Sequence, residues 1–383
     1  MKRRQFIKAA AAAGSATGIT GATVHAASKS NSQFKLKRDF MRIGMVGLGP
    51  YSHAMMYTEA INNPDTPPRS NLHVTAVWGR EDGYVNSFRG TEEWKQKRLK
   101  DLHDYMSIDK FTGTYGVKNV VKNPKDMIKH VDAVFITDPE DSLNLARPFL
   151  EKGMPVFVNR PIAWNMHDAR EIIRLAKQNG STLVTGSCIP WMQEIQVIKG
   201  RIDPAKVQHY YIEGSGANFC SYHPHIFETA LKLVPGKVIS CSTFGWNAPP
   251  DEDPLNIPVI YTHLTYEKTA DDRDPILGLA TNAYEKPIRS WVKIHLDNEV
   301  IEQRVYWEGV VGGVAHDDHI TMPFMQTIDR AFVTGVWPED EDHILNKVVV
   351  MLMAHKSGLK NGQPVSRDEI EDHSLPRYQT EKM

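Results

Sequence analysis

Short apolar runs alternate with amphipathic runs along the first half of the chain. The apolar runs have the length of strands and lie at residues 43–46, 73–78, 132–137, 155–159 and 181–185. The amphipathic runs have helical spacing and lie at residues 54–61, 143–152 and 167–179. Strands that alternate with helices are typical of a parallel, doubly wound sheet. A charged stretch at 83–115 interrupts the alternation, and it is predicted to be a helical surface insertion.

Extended runs dominate the second half. Five strand-like runs follow one another closely, at residues 207–214, 238–245, 258–268, 290–297 and 300–307. Because few helical segments separate them, they predict a largely antiparallel sheet. Two helical runs come last, at residues 320–333 and 340–359. The predicted fold class is therefore α/β, with two domains of different sheet type.

The first predicted strand leads into a glycine turn. Residues 42–54 read RIGMVGLGPYSHA, a Gly-x-Gly-x-x-small pattern between a strand and a helix. The first glycine permits the tight turn, the second lets the backbone approach a pyrophosphate, and the helix start offers N–H groups to the anion. An ordinary strand-to-helix turn is the alternative. We predict a dinucleotide site made by Gly47, Gly49, Pro50, Tyr51 and Ser52.

The end of the second predicted strand bears on which nucleotide binds there. Enzymes that prefer NAD usually place an acidic residue at this point, on the ribose 2′-hydroxyl. Here Gly79 occupies that place and Arg80 follows it. A missing carboxylate and a nearby arginine suit a 2′-phosphate, so the sequence favours NADP, with NAD as the alternative.

The first 27 residues resemble an export signal. Arg3 and Arg4 precede a mildly apolar stretch at 9–24, and small residues near Ala26 offer a cleavage site. The stretch contains glycines and is too weakly apolar for a membrane span. We expect a twin-arginine signal peptide at 1–27 and a periplasmic location, the alternative being a basic tail. Because this route exports folded proteins, it suits a protein that acquires its nucleotide in the cytoplasm.

Composition narrows the possible partners. The 383 residues are 41% hydrophobic and 24% charged, with a formal net charge of −1, so no feature indicates nucleic acid or a membrane surface as a partner. Cys188, Cys220 and Cys241 form neither a disulfide framework nor a zinc spacing.

Two charged clusters could suggest a metal or an acidic surface. In the run His316 to His319, adjacent side chains point apart on any regular element, so capping of the next helix is the better account. No metal is predicted. The acidic clusters at 251–253 and 339–342 are predicted to be solvated loops or an exposed helix start.

Beyond these patterns, the chain resembles the glucose-fructose oxidoreductase, inositol dehydrogenase and MocA (Gfo/Idh/MocA) family. The resemblance covers residues 41–363 and rests on VGLGPYSHA, DAVFITDPEDSLNLARPFLEKGMPVFVNRPIA, HPHIFETALKL and HKSGLKNGQPV. It implies a Rossmann domain at 39–162 and a substrate-binding and oligomerisation α/β domain at 163–383. The open sheet of the second domain would support dimers or tetramers. A nicotinamide cofactor would lie at the strand ends with a sugar-like substrate above it.

The resemblance also assigns residues to the site. The positions that match the family's motifs place Asp138, Pro139, Asn159 and Pro161 at the cofactor, and the bond before Pro161 is often cis. Where the family has a catalytic lysine, this chain has Arg160. Arginine keeps the charge but has a pKa too high for a general base, so Arg160 would orient a substrate or polarise a carbonyl.

A histidine is the second catalytic group that the resemblance implies. The family's His-x-x-Asp pattern, on a histidine that opens a helix, matches His225 to Glu228, with Tyr222 as a neighbouring polar group. Histidine titrates near neutral pH, so it can take a hydroxyl proton while hydride leaves the same carbon. An aspartate often stands where this chain has Ser221. The alternative is that these polar residues merely cap a helix that begins near Pro224.

Three functions remain open from the sequence. The leading one is an exported NAD(P)-dependent oxidoreductase that transfers hydride between nicotinamide and a sugar or sugar-derived substrate. The second is a glycosidase-like enzyme that transiently oxidises a ring hydroxyl and then cleaves the glycosidic bond by elimination. The third is a non-catalytic nucleotide or carbohydrate binder, which the loss of the lysine and aspartate would favour.

Overall fold

A computed structural model of the chain describes most of residues 40–375. The described ranges are 40–48, 53–63, 69–79, 107–138, 141–215, 219–245, 260–267, 277–283, 289–306 and 318–375. Several predictions lie outside them: the signal segment 1–27, the insertion up to residue 106, the acidic cluster 251–253, and Gly49, Pro50, Tyr51, Ser52, Arg80 and Pro139.

The first domain contains a six-stranded parallel sheet. Its strands are β1 (Met41–Leu48), β2 (Leu72–Gly79), β3 (Asn119–Val120), β4 (Ala133–Ile136), β5 (Val156–Asn159) and β6 (Leu183–Gly186). Its helices are α1 (Ala54–Asn62), α2 (Ile108–Tyr115), α3 (Ser142–Leu150) and α4 (Met166–Gln178). The strand order β3-β2-β1-β4-β5-β6, with every pair parallel, confirms the doubly wound prediction. The strands at its centre are fully buried, which explains their near-continuous apolar sequences.

The strand order reverses between β1 and β4. Ligands of such sheets bind at the carboxyl ends of the strands beside this switch point. The two strand ends are held together there, since the Thr137 amide donates to the Val46 carbonyl at 2.8 Å and the Thr137 hydroxyl lies 3.1 Å from the carbonyls of Val46 and Gly47. Gly47, the first residue of the predicted nucleotide site, thus lies where the ends of β1 and β4 are hydrogen-bonded to each other.

The second domain contains a seven-stranded sheet. Its strands are β7 (Val207–Ser215), β8 (Val238–Phe244), β9 (Ile260–Tyr266), β10 (Leu277–Ala283), β11 (Arg289–Leu296), β12 (Val300–Tyr306) and β13 (Val365–Ser366). Its helices are α5 (Gln193–Arg201), α6 (Phe219–Leu233), α7 (Asp318–Thr334) and α8 (Glu341–Leu359). The order is β12-β11-β7-β10-β9-β8-β13, and only β10 and β7 pair in parallel, so the sheet is largely antiparallel as predicted.

Strand β10 was not predicted from the sequence. Its sequence, LGLATNA, contains Thr281 as its only β-branched residue and no aromatic residue, so it carries little of the pattern that marks strands. The reason lies in the neighbouring strand, because a Cβ at Gly278 would come within 2.8 Å of the Tyr210 ring. The hydroxyls of Tyr210 and Tyr266 lie 2.7 Å apart. Gly278 of β10 therefore makes room for Tyr210 of the adjacent strand β7.

Helix α6 begins earlier than expected. The sequence suggested a helix start near Pro224, with His225 at its opening, but the helix begins at Phe219 and contains Pro224. The prediction that His225 opens a helix is therefore wrong. Phe219 and Cys220 are fully buried, and their burial offsets the amide hydrogen bond that proline cannot make.

The two last helices connect the domains and cover the core. Asp329 of α7 accepts hydrogen bonds from the Asn71 amide and side chain, at 2.8 and 3.0 Å, just before β2. Asp340 caps α8 by accepting from the His343 amide at 2.8 Å, and most of α8 is buried. No helix in the described ranges has both the length and the apolarity that crossing a membrane requires.

Candidate active site at the strand ends

The end of β1 requires a glycine. Gly47 has a φ of +111°, which residues with a side chain rarely adopt, and a Cβ there would lie 2.7 Å from the Asp138 Cβ. Two of the predicted cofactor residues, Gly47 and Asp138, are thus in direct contact. The close approach of β1 and β4 leaves room for only backbone at this point, as expected where a dinucleotide meets the turn.

The end of β2 also comes close to β1. A Cβ at Gly79 would lie 2.8 Å from the Leu48 carbonyl oxygen, so this position also favours glycine. Gly79 brings no carboxylate to the ribose side of the cradle.

Arg160, which follows β5, is buried beside a histidine that the sequence analysis did not single out. The side chain of Arg160 is only 7% exposed, and its peptide bond to Pro161 is cis, as the resemblance implied. Its Nη2 lies 3.0 Å from Nε2 of His53, which stands just before α1. Its Nε is buried and has no hydrogen-bond partner among the described residues.

The contacts of His53 determine its tautomer. Since Arg160 can only donate, His53 Nε2 must accept, and the ring proton lies on Nδ1. Nδ1 is 2.8 Å from the Asn159 amide nitrogen, which is also a donor, so the Asn159 amide is better assigned with its oxygen toward His53. With the Asn159 amide turned this way, its nitrogen takes the position that lies 3.1 Å from the Tyr57 hydroxyl oxygen. Arg160, His53, Asn159 and Tyr57 form one hydrogen-bonded chain.

His225 lies on the other side of this chain. Its ring centroid is 6.4 Å from that of His53 and 6.3 Å from that of Tyr222. Its Nδ1 is 2.5 Å from the Ser187 hydroxyl, which also accepts from the Ile189 amide at 3.0 Å. Because a hydroxyl both donates and accepts, Ser187 can hold the His225 ring in either tautomer.

Both histidines are held in their neutral form. Burial lowers the pKa of His53 well below its ordinary value, and the Arg160 charge lowers it further. Burial likewise lowers the pKa of His225 well below its ordinary value, with additional contributions from Arg160 and His53. A neutral imidazole can accept a proton, and the nearby guanidinium makes it return that proton readily.

A buried ionic network lies directly behind His225. The Glu228 carboxylate accepts from the Ser187 amide at 2.7 Å and lies 3.8 Å from Lys347 Nζ. Lys347 pairs closely with Glu339, which also lies 3.4 Å from Lys232 Nζ and 3.3 Å from His343 Nε2. Burial alone would raise the pKa of Glu339, but Lys347, His343 and Lys232 outweigh it and hold that pKa below its usual range.

This network corrects one expectation. The acidic cluster at 339–342 was predicted to be solvated, yet Glu339 is buried at the centre of the network, whereas Glu341 pairs with Lys177 on the surface. The error arose because acidic residues before a helix usually serve as exposed caps. Only the packing of α8 against α6 shows that Glu339 faces two buried lysines.

The structure brings several predicted residues together. Arg160 and His225 lie at one site, Asn159 and Pro161 adjoin Arg160, and Tyr222 lies beside His225. His53, Tyr57 and Ser187 were missed. His53 stands within the glycine motif itself, where its imidazole was a detectable signal, while Ser187 had no signal in the sequence. No group of three or more metal-ligating side chains occurs in the described part of the chain.

Comparison with known proteins agrees with this architecture. Residues 41–187 match the model of the GFO_IDH_MocA family, described as an oxidoreductase family with an NAD-binding Rossmann fold. No curated protein matches the chain significantly.

Solved structures show the same fold over most of the chain. A probable dehydrogenase from Thermotoga maritima has a TM-score of 0.64 at 16% identity, over 86% of this chain and 100% of that one. Scyllo-inositol dehydrogenase from Lactobacillus casei, with bound NAD(H) and scyllo-inositol, has a TM-score of 0.64 at 13% identity, over 86% and 99%. Myo-inositol 2-dehydrogenase from Lactobacillus plantarum has a TM-score of 0.61 at 13% identity, over 85% and 99%. Residues 41–187 are thus similar to the NAD-binding Rossmann domain of the Gfo/Idh/MocA oxidoreductases.

Proposed function

We propose that the protein is a nicotinamide-dependent oxidoreductase that acts on a sugar or a sugar-derived substrate. One observation carries the proposal: Arg160 and His225 converge beside the strand ends of a Rossmann sheet, next to the close-packed end of β1. The similarity in fold to a scyllo-inositol dehydrogenase with bound NAD(H) supports a polyhydroxylated substrate.

The residues suit alcohol oxidation and its reverse. A nicotinamide bound along the cradle would supply the hydride acceptor or donor. His225 takes the proton of the hydroxyl whose carbon loses hydride, and returns it in the reduction. Arg160 holds an oxygen of the substrate but does not exchange a proton, because arginine side chains stay protonated in proteins. Ser187 orients His225, and His53 orients Arg160.

We propose NADP rather than NAD as the preferred cofactor. The support is the glycine at the end of β2, which offers no carboxylate to the ribose, and Arg80 after it. Mass analysis of the nucleotide released on denaturation tests this directly. Arg80→Ala should weaken NADP binding about 10- to 150-fold and leave NAD binding nearly unchanged, because a charge-assisted contact contributes roughly 1.5–3 kcal/mol. Release of NAD alone would contradict the assignment of Arg80.

We also propose export to the periplasm by the twin-arginine route, with the nucleotide retained between turnovers. The support is the signal-like segment at 1–27. Replacing Arg3 and Arg4 by lysine should retain the protein in the cytoplasm, as cell fractionation would show. Periplasmic protein after this change would refute the route.

A homo-oligomer is proposed through the second sheet. Phe244 and Tyr261 are exposed and stand opposite each other on β8 and β9, so this sheet presents apolar surface. Light scattering of the wild type and of Tyr261→Lys would test this. A wild-type monomer would contradict the proposal.

The activity is tested by incubating the purified protein with sugars, polyols and glycosides. Cycling of nucleotide fluorescence together with ketone formation would support the oxidoreductase. Release of free sugar with no net redox change would instead favour elimination. His225→Asn should lower turnover by ~10²–10⁴ while nucleotide binding stays intact. Full activity of that variant on a confirmed substrate would refute the role of His225.

A further inference from the structure

Arg160 is a buried charge of the site that has no ion-pair partner among the described residues. Lys347 and Lys232 face Glu228 and Glu339, so these four groups are neutral together. Arg160 adds a fifth buried charge, and no carboxylate of the described residues lies within ion-pair distance of it. The Asp138 carboxylate is also buried, beside Gly47 at the end of β4, but it forms no ion pair with Arg160. The guanidinium of Arg160 therefore has no counter-ion among the described residues.

The neighbours of Arg160 do not neutralise it. His53 accepts one hydrogen bond as a neutral ring, and His225 and Asn159 bring no negative charge. Nε of Arg160 is buried and has no partner among the described residues. A buried charged donor without a partner is unfavourable in the protein interior, so a ligand that pairs with it stabilises the site. A ligand group that offers both an acceptor atom and a negative charge would suit the guanidinium best.

We propose, building on the oxidoreductase function, that the substrate is a sugar acid whose carboxylate binds Arg160. A guanidinium matches a carboxylate in its planar geometry and can donate to both oxygens. A carboxylate brings one negative charge, which matches the single charge of the guanidinium, whereas a phosphate monoester brings nearly two. The substrate class is thus narrowed from sugars in general to uronates or aldonates.

The test compares sugars with their acids on the full chain with its nucleotide bound. Suitable pairs are glucose with glucuronate, galactose with galacturonate, and glucose with gluconate, together with glucose 6-phosphate. We expect kcat/KM for at least one acid to exceed that of its neutral counterpart by about tenfold or more. The reason is that hydrogen bonds between a guanidinium and a carboxylate are stronger than those to a neutral hydroxyl. Arg160→Gln should reduce this ratio to near one, and Arg160→Lys should retain much of it. Arg174→Gln removes an exposed arginine and should leave the ratio unchanged.

The outcomes separate this inference from the proposed function. If neutral sugars are oxidised as efficiently as every acid, the sugar-acid inference is wrong, while the proposed oxidoreductase function is still supported. Calorimetric binding of an acid that is never oxidised, lost in Arg160→Gln, would support the anion site while refuting the activity. A higher kcat/KM with glucose 6-phosphate than with every acid would overturn the carboxylate assignment and mean that Arg160 binds a phosphate group. A nucleotide that dissociates from Arg160→Gln, with the acid preference unchanged, would assign Arg160 to the cofactor. If Arg160→Gln does not fold, the wild-type ratio and Arg160→Lys decide.

Discussion

Two groups of buried charge lie next to each other in this protein, and they are built differently. The lysines behind His225 are matched by carboxylates, and the pair Lys347–Glu339 lies in the protein interior. Arg160, in front of His225, is buried to a similar degree but has only a neutral histidine as its partner. A matched network can be explained by folding alone. An unmatched cation is a cost to folding that a ligand can offset, which is why we assign function to Arg160 and not to Lys347.

The largest expected effect breaks the matched group. Glu339→Gln would leave Lys347 and Lys232 in the interior without their main counter-charge. Removing one partner of a buried pair costs about 3–5 kcal/mol, so we expect a loss of this size in the free energy of unfolding. Denaturant titration measures it. A loss below about 1 kcal/mol would show that water reaches the network and would remove the contrast with Arg160.

The neutral state of His53 beside the unmatched Arg160 should affect how the free energy of unfolding depends on pH. The pKa of His53 is lower in the folded protein than its unfolded value of about 6.5, so the unfolded chain binds more protons as the pH falls. Stability from neutral His53 is complete above pH ~6.5 and is lost as the pH falls below it, by up to about 1.4 kcal/mol per unit.

His53→Gln should therefore flatten the fall in unfolding free energy between pH 6 and pH 5. His167→Gln, at an exposed histidine, serves as the surface control. If His53→Gln has the same slope as the wild type, His53 is protonated beside Arg160 and the assigned tautomer is wrong.

Ser187 connects the matched network to His225, because its amide donates to Glu228 and its hydroxyl lies in hydrogen-bond contact with His225. Ser187→Ala removes one hydrogen bond worth about 0.5–1.5 kcal/mol, so we expect turnover to fall up to about tenfold. The pH profile of kcat should shift, and nucleotide binding should not change. Thr185→Val is the matched control, since the buried Thr185 hydroxyl has no partner among the described residues. Equal effects of the two variants would reduce Ser187 to a packing role.

The smallest expected effect comes from an exposed pair near the network. Glu341 lies two residues after Glu339 and pairs with Lys177 at 2.6 Å, with both side chains substantially exposed. Because exposed pairs contribute about 0.2–1 kcal/mol, Glu341→Gln should cost less than about 1 kcal/mol in unfolding free energy. A cost equal to that of Glu339→Gln would show that burial does not separate the two glutamates.

Much of the fold was predictable because local pattern and burial agree in the parallel sheet. Its central strands are apolar except for Asn159 at the end of β5, and the glycine turn carries its own signal in Gly47. Strand β10 was missed because its Gly278, which weakens the strand pattern, is required by the Tyr210 ring of another strand. The start of α6 was misplaced because proline is usually a boundary signal, and only the buried Phe219 shows otherwise.

For the site, the sequence alone determined which residues could do chemistry: the glycine turn, the exchange of lysine for Arg160, and His225 in its motif. Their electrostatic state depended on packing between segments far apart in the chain. His53 and Arg160 are 107 positions apart, and Ser187 and His225 are 38 apart. Charge balance and pKa depend on distance and burial in three dimensions, and a linear pattern carries neither. For this reason Glu339 reads as a helix cap in the sequence and is an interior counter-ion in the fold.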